Sequence, residues 1–262
     1  MKNIVNLSKH KKTFGSIAKD YTKYRRPYPK KVFQMFFLCM AEKPKKILDL
    51  ACGTGKSTES LIKKGVEVVG IDHDLAMIKE AKSQAKQKGL TITYVVGDVE
   101  HLNFPRETFD AITIGTAFHW FVNQKAIRKI VHALKPNGLI FIYWTLTTKE
   151  VPEENSLPGS FYTKYEWERV PAKLRDMGHV RKFLEKNKFI KVNSFVIPFT
   201  HRDTVADQVG LLKTASAYAV LTTEEKKQFV KESRTILTEK LGERKYFPFE
   251  EEIQICYGYK RK

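Results

Sequence analysis

One stretch limits what this chain can become: Ile47-Leu48-Asp49-Leu50-Ala51-Cys52-Gly53-Thr54-Gly55. Ile47, Leu48 and Leu50 read as a short buried strand, and Gly53 and Gly55 as a turn that brings bare backbone close to a ligand. Lys56 to Lys64 is expected to continue as a helix. A strand entering a helix through a glycine turn is a grip for nucleotide-like ligands. Gly55-Lys56-Ser57 matches the end of a phosphate-binding P-loop, but that loop needs a glycine five residues before Gly55, where this chain has Leu50. A dinucleotide turn, G-x-G-x-x-G, meets Thr58 in place of its third glycine, which weakens that alternative.

The same alternation continues downstream. Val66 to Ile71 forms a second apolar strand, and Asp72 at its end lies about twenty residues beyond the turn, where a carboxylate can accept both hydroxyls of a ribose. Thr91 to Val96 is a third strand, running into Gly97-Asp98-Val99-Glu100. Phe109 to Gly115 is a fourth, before Thr116-Ala117-Phe118-His119-Trp120-Phe121. Leu139 to Trp144 is a fifth, after the turn Lys135-Pro136-Asn137-Gly138. Strand and helix alternating from Lys45 to Trp144 predict an α/β, doubly wound parallel sheet. Residues 147–178 lose this rhythm and become rich in Pro, Tyr, Trp and Glu, which reads as an insertion over the site. Val180 to Lys188 is then a helix, Phe189 to Phe199 a strand, and Thr204 to Leu241 a helical pair broken near Leu221-Thr222-Thr223. Ile253 to Tyr259 is the last strand.

The run Asp-x-Ala-Cys-Gly-Thr-Gly resembles the first motif of the class I S-adenosylmethionine-dependent methyltransferases, and Asp72, Gly97-Asp98 and the segment after the fourth strand follow in that family's order. The N-terminal run Phe14…Ala18…Tyr21…Arg25-Arg26-Pro27-Tyr28-Pro29 is similar to the opening of the small-molecule members related to trans-aconitate methyltransferase, as are His119-Trp120-Phe121 and Leu211 to Tyr218. Two departures stand out: Arg26 displaces the usual proline by one place, and Ala215 replaces an aromatic. The resemblance implies a Rossmann-like seven-stranded, mostly parallel sheet with an antiparallel last strand inserted beside the fifth. It divides a single domain, 1–262, into an N-terminal helical cap (1–44), a cofactor-binding core (45–146), the insertion (147–178) and a C-terminal completion (179–262). It also implies S-adenosylmethionine as cofactor, S-adenosylhomocysteine as product and a small-molecule acceptor. Cofactor contacts would fall to Tyr21, Arg25, Asp49, Ala51, Cys52 through its backbone, Gly53, Gly55, Asp72, His73, Met77, Asp98 at the adenine amino group, Val99, Thr116 and Phe118.

At 262 residues and 42% hydrophobic, the chain can bury one sizeable core. Its three widely spaced cysteines, Cys39, Cys52 and Cys256, suit a reducing compartment and imply neither a disulfide framework nor a metal site. No signal-like or membrane-spanning apolar run is read, so a cytoplasmic protein without membrane insertion is expected. The net charge of +18 raises nucleic acid as an alternative partner, and with it an RNA or protein methyltransferase. Against that, Lys79, Lys82, Lys86 and Lys88 are spread along one presumed solvent face, and no RNA-binding module accompanies the denser clusters His10-Lys11-Lys12, Lys23 to Lys31 and Lys260-Arg261-Lys262. A non-catalytic S-adenosylmethionine-binding protein is a third reading.

Transfer from a sulfonium is an in-line displacement that asks mainly for orientation. A carboxylate acceptor is already ionised, whereas a hydroxyl, amine or carbon acid needs a base, for which His119 is the best-placed residue. Trp120 and Phe121 are candidates to wall the sulfonium or the acceptor. Arg25, with Tyr21, is a candidate to grip a carboxylate of cofactor or substrate.

Overall fold

The computed structural model describes residues 14–146, 155–165 and 176–262. Seven strands form one sheet: β1 (Lys46–Leu50), β2 (Glu67–Asp72), β3 (Thr93–Val96), β4 (Phe109–Gly115), β5 (Leu134–Leu146), β6 (Phe189–Asp203) and β7 (Phe247–Lys260), in the order β3-β2-β1-β4-β5-β7-β6. β3, β2, β1, β4 and β5 pair in parallel. The last strand is antiparallel and sits beside the fifth, as expected. The described residues group into two compact units: one of residues 27–145, 176–197 and 253–262, the other of residues 14–26, 146, 155–165 and 198–252.

In the first unit, Ile47, Leu48, Asp49 and Leu50 of β1 are all buried, as are Ala111 to Ile114 of β4. Strands buried without alternation mark a parallel sheet covered on both faces. The helix Leu75–Gln87 buries Met77, Ile78, Ala81 and Ala85 and opens on Asp74, whose carboxylate accepts from the N–H groups of Ala76 and Met77. Gln124–Ala133 repeats the arrangement with Asn123 as its cap, burying Ala126, Ile127, Ile130 and Ala133. Each cap stabilises by about 1 kcal/mol. Lys30–Leu38 presses Phe33 and Phe36 against Tyr143 and Phe141 of β5, with ring centroids 5.9 and 5.4 Å apart.

Several boundaries differ from the sequence reading. The helix after the glycine turn covers only Lys56–Ser60. The Leu61 N–H tightens onto the Thr58 carbonyl, and Gly65 turns the chain at φ 79°. β5 starts at Leu134 because the turn Lys135 to Gly138 is looped out within the strand: Leu134 faces Phe109 and Leu139 faces Ala111. The third strand starts at Thr93 instead of Thr91, its far edge being exposed.

The second unit packs Phe161 of the helix Gly159–Lys164 on Phe229, centroids 5.0 Å apart, and gathers Leu157, Val209, Tyr218, Leu237 and Phe247 around them. Its helical stretch breaks twice where one break was expected, into Val205–Leu212, Ser216–Ala219 and Thr223–Leu241. The first break follows the Thr214 hydroxyl, which donates to the Leu211 carbonyl at 2.6 Å and closes the preceding turn. The second is Thr222, which forms a capping box with Glu225. β7 starts early, at Phe247, because Phe247 and Phe249 are buried in this unit's own core, and β6 runs past Phe199 to the buried Asp203. The insertion's residues 147–154 and 166–175, and the cluster His10-Lys11-Lys12, lie outside the described residues.

Candidate active site

The strand order reverses between β1 and β4, and in an open α/β sheet the crevice beyond the carboxyl ends at such a point is where ligands bind. Here those two neighbouring strands end in the two least comfortable residues of the region. Ala51 follows β1 at φ 56° and Thr116 follows β4 at φ 52°. The left-handed conformation costs a residue with a Cβ about 1–2 kcal/mol, a strain characteristic of working sites. Gly53 at φ 54° and Gly55 at φ 83° complete the turn without that cost. Gly55 is required twice over, since a Cβ there would stand 2.2 Å from the Tyr94 hydroxyl oxygen.

Beneath the turn lies Asp49, buried and encircled by hydroxyls. Thr113 donates to Oδ1 at 2.9 Å, and Ser57 and Thr58 donate to Oδ2 at 2.9 and 2.6 Å. Burial pushes its carboxyl pKa above the ordinary value, and the Thr58, Thr113 and Ser57 hydroxyls offset part of the rise. Asp49 therefore ties β1, β4 and the start of the helix together and holds the turn in shape. Cys52 is buried, and burial lifts its thiol well above the usual range, so it stays neutral and serves as packing.

Asp72 ends β2 on the adjacent side. Its Oδ2 accepts the Gly53 N–H and its Oδ1 the Asp74 N–H, both at 2.9 Å, while His73 Nδ1 stands 3.2 Å from Oδ1. One carboxylate thus joins the glycine turn to the next helix and keeps lone pairs for further donors. Asp98 lies half-buried after β3, where its side chain accepts the Glu100 N–H at 3.1 Å. Thr54 Oγ1, in the turn, is buried without a hydrogen-bond partner.

At the end of β4, Thr116 is exposed and its hydroxyl is 2.5 Å from the Tyr28 hydroxyl. Tyr28 in turn meets the Tyr143 ring edge-on, centroids 4.7 Å apart. His119 and Trp120 follow in a short 3-10 turn, half-buried, their rings 4.6 Å apart. The side chains of Met77, Val99 and Phe118 are in the core, Phe118 against Phe183 at 5.9 Å, so these three offer a ligand backbone only. Tyr21 and Arg25 belong to the other unit, where the Arg25 guanidinium lies 5.3 Å above the Tyr21 ring. The rest of the expected set lies in the first unit. Sequence reasoning missed Ser57, Thr58 and Thr113 as the clamp on Asp49, because hydroxyls in strands and helix starts carry no periodic signal. It quoted Tyr28 within the N-terminal pattern without giving it a role.

Residues 47–138, which hold β1 through the looped-out turn of β5, match the family model described as a methyltransferase domain. Over these residues the chain carries a methyltransferase domain of the class I S-adenosylmethionine-dependent type. Among its relatives is a demethylmenaquinone methyltransferase of Thermus thermophilus, 36% identical over 40% of this chain and 49% of that protein. An uncharacterized methyltransferase of Schizosaccharomyces pombe is 28% identical over 54% of this chain and 55% of its own length. The chain spans about half the length of the curated relatives it matches. In fold, the chain is similar to phosphoethanolamine N-methyltransferase 2 of Haemonchus contortus, solved with S-adenosylhomocysteine. The TM-score is 0.58 at 16% identity, over 95% of this chain and 58% of that one. S-adenosylmethionine is the cofactor of such a domain, and the residues present fit it: a buried carboxylate with acceptor capacity at the end of β2, a turn of left-handed backbone, and the unpartnered Thr54 hydroxyl. Among the described residues no group of three or more potential ligands could hold a metal ion, and no helix is long and apolar enough to cross a membrane.

Proposed function

We propose that this chain is a methyltransferase that moves a methyl group from S-adenosylmethionine to a small-molecule acceptor carrying a carboxylate, forming a methyl ester. The observation that carries the reading is Asp72, whose buried carboxylate is held in place by the Gly53 and Asp74 N–H groups at the mouth of the switch point. In this reading Asp72 takes the ribose hydroxyls and Asp98 the adenine amino group. The turn from Ala51 to Gly55 offers backbone N–H groups to the methionine end, with His73 beside the ribose and Met77, Val99 and Phe118 contributing backbone. When bound, the cofactor supplies a methyl group on a positively charged sulfur.

The chain's own residues then have a limited task. Thr116, held by Tyr28, fixes the floor at the end of β4, and His119 and Trp120 border the acceptor. A carboxylate is ionised at neutral pH, so His119 needs only to donate a hydrogen bond. Orientation supplies much of the rate. Small-molecule acceptors are also supported by the names of the relatives, the demethylmenaquinone methyltransferases and a bifunctional biotin biosynthesis protein of Saccharophagus degradans. The opening pattern up to Pro29, resembling the trans-aconitate methyltransferase group, favours the carboxylate.

The test is transfer from methyl-labelled S-adenosylmethionine with purified protein and a cell extract divided by ultrafiltration. Label in the small-molecule fraction, released as methanol by mild alkali, is the expected result. Alkali-stable label there would leave the small-molecule acceptor and remove the ester. Label confined to nuclease- or protease-sensitive material would overturn the reading in favour of the +18 charge as the guide to the partner.

A further inference from the structure

In the first unit, side chains join the loop after β3, residues 97–103, to the start of the helix Gln124–Ala133, which follows the turn carrying His119 and Trp120. Asn123 is the joint. Its Oδ1 accepts the Lys125 and Ala126 N–H groups at 3.0 and 2.9 Å, and that cap fixes which way the amide faces. Its Nδ2 then donates to Glu100 Oε1 at 3.1 Å. Glu100 in turn donates its backbone N–H to Asp98 Oδ1, also at 3.1 Å. A second tie runs from Lys129 Nζ to Asn103 Oδ1 at 3.0 Å. We propose that Glu100 and Asn123 are a positioning pair for the cofactor: they touch no ligand and, on the reading that Asp98 takes the adenine amino group, they set where that carboxylate stands.

Packing alone does not fix that carboxylate. Val99 is buried, and Leu102 lies so close that a Cβ at Gly97 would stand 2.7 Å from it, so the loop's depth is set by apolar contact. Such contact is non-directional, whereas a hydrogen bond specifies an angle as well as a distance. The bond from Glu100 to Asp98 is local to the loop and would move with it. Asn123 refers it to a helix locked on the sheet by Ala126, Ile127 and Ile130. The acceptor-side turn is bonded to the same point: the Asn123 N–H donates to the Phe121 carbonyl at 2.7 Å, and the Phe121 N–H to that of Phe118 at 2.8 Å. Lys125 Nζ also lies 3.7 Å from Glu100 Oε2 and 3.5 Å from His101 Nε2, but at 56% exposed it adds little. One amide thus registers the adenine end of the site against the acceptor end, and in-line transfer depends on that spacing.

The bond can be reversed without removing the helix cap. Asn123→Asp keeps an oxygen for the Lys125 and Ala126 N–H groups, but it removes the donor and sets a second carboxylate against Glu100. Glu100→Gln supplies an amide donor in return, so the double variant restores the bond with donor and acceptor exchanged. The test is calorimetry of the full chain with S-adenosylhomocysteine and with S-inosylhomocysteine, in which a carbonyl replaces the adenine amino group. The wild type is expected to prefer S-adenosylhomocysteine at least about tenfold, the worth of one charge-assisted bond. Asn123→Asp should cut the preference below about threefold with the thermal midpoint retained, and the double variant should recover it to within about twofold of wild type. A merely structural role would lower both affinities together and leave their ratio alone. An unchanged ratio in folded Asn123→Asp, or a double variant no better than Asn123→Asp, would overturn the pair. Glu100→Ala, which leaves the cap untouched, should lose the preference as well, and its retention there would also refute the pair. A wild type without preference overturns the adenine role of Asp98 and the pair with it, whereas a preference that survives Asn123→Asp overturns the pair alone. Neither result bears on whether methyl is transferred.

Discussion

Thr113→Val isolates one bond in the clamp that holds the cofactor turn. Valine copies the shape of threonine, so the fully buried site is neither emptied nor overfilled and the change is the loss of the hydroxyl that donates to Asp49 Oδ1 at 2.9 Å. A hydrogen bond to a charged acceptor contributes about 1.5–3 kcal/mol, and burial leaves no solvent to replace it. The unfolding free energy should therefore fall by about 2 kcal/mol near neutral pH, read from urea denaturation with an unchanged m-value. The pH dependence is a second, independent readout. Burial already raises the Asp49 pKa, against the pull of its three hydroxyl donors, and losing one donor raises it further. A carboxyl whose folded pKa is raised favours the native state at low pH and loses that contribution as pH rises through the folded value. The penalty of the substitution should accordingly grow with pH, being smaller where Asp49 is protonated. A loss below about 0.5 kcal/mol at neutral pH, or a penalty that shrinks as pH rises, would refute the clamp.

Asp72→Ala should weaken S-adenosylmethionine binding more than tenfold by calorimetry in a folded protein, because the proposed ribose role gives this carboxylate two charge-assisted bonds to lose, at about 1.5–3 kcal/mol each. Gly55→Ala places a Cβ 2.2 Å from the Tyr94 oxygen at φ 83° and should cost at least about 2 kcal/mol of stability in denaturant titration. His119→Ala should leave the rate on a carboxylate acceptor within about threefold, because a general base is worth about 100-fold or more and none is required; a larger loss would make His119 the base. His201 is raised from 6.5 to about 8, so the stability it contributes is complete below pH 6.5 and lost as pH passes about 8. Discounted for partial exposure, that difference is about 1 kcal/mol, and His201→Gln should flatten it in pH-dependent melting.

The local pieces of the site were legible from sequence because each is a short-range consequence of residue type. Apolar runs such as Ile47 to Leu50 make strands, Gly53 and Gly55 accept the left-handed turn that β-carbons resist, and a carboxylate ending the next strand lands beside it. Asp72 was placed this way, while Asp98 and the antiparallel last strand beside the fifth came from the family resemblance and the parallel sheet from alternation. What each aspartate does was decided by tertiary contact. Asp49 and Asp72 are the same residue type at the ends of adjacent strands. Yet Asp49 is enclosed by hydroxyls from Ser57, Thr58 and Thr113, while Asp72 meets backbone N–H groups and keeps capacity for a ligand. Met77, Val99 and Phe118, which the resemblance implies as cofactor contacts, have their side chains in the core, since side-chain direction is set by what packs against the helix or loop. The cluster of Arg26, His201, Asp203 and Glu251 was invisible for a different reason. Its members are separated by up to 225 residues and carry no shared spacing, and only the approach of β6 to β7 in the second unit brings opposite charges close enough, in surroundings dry enough, to interact strongly.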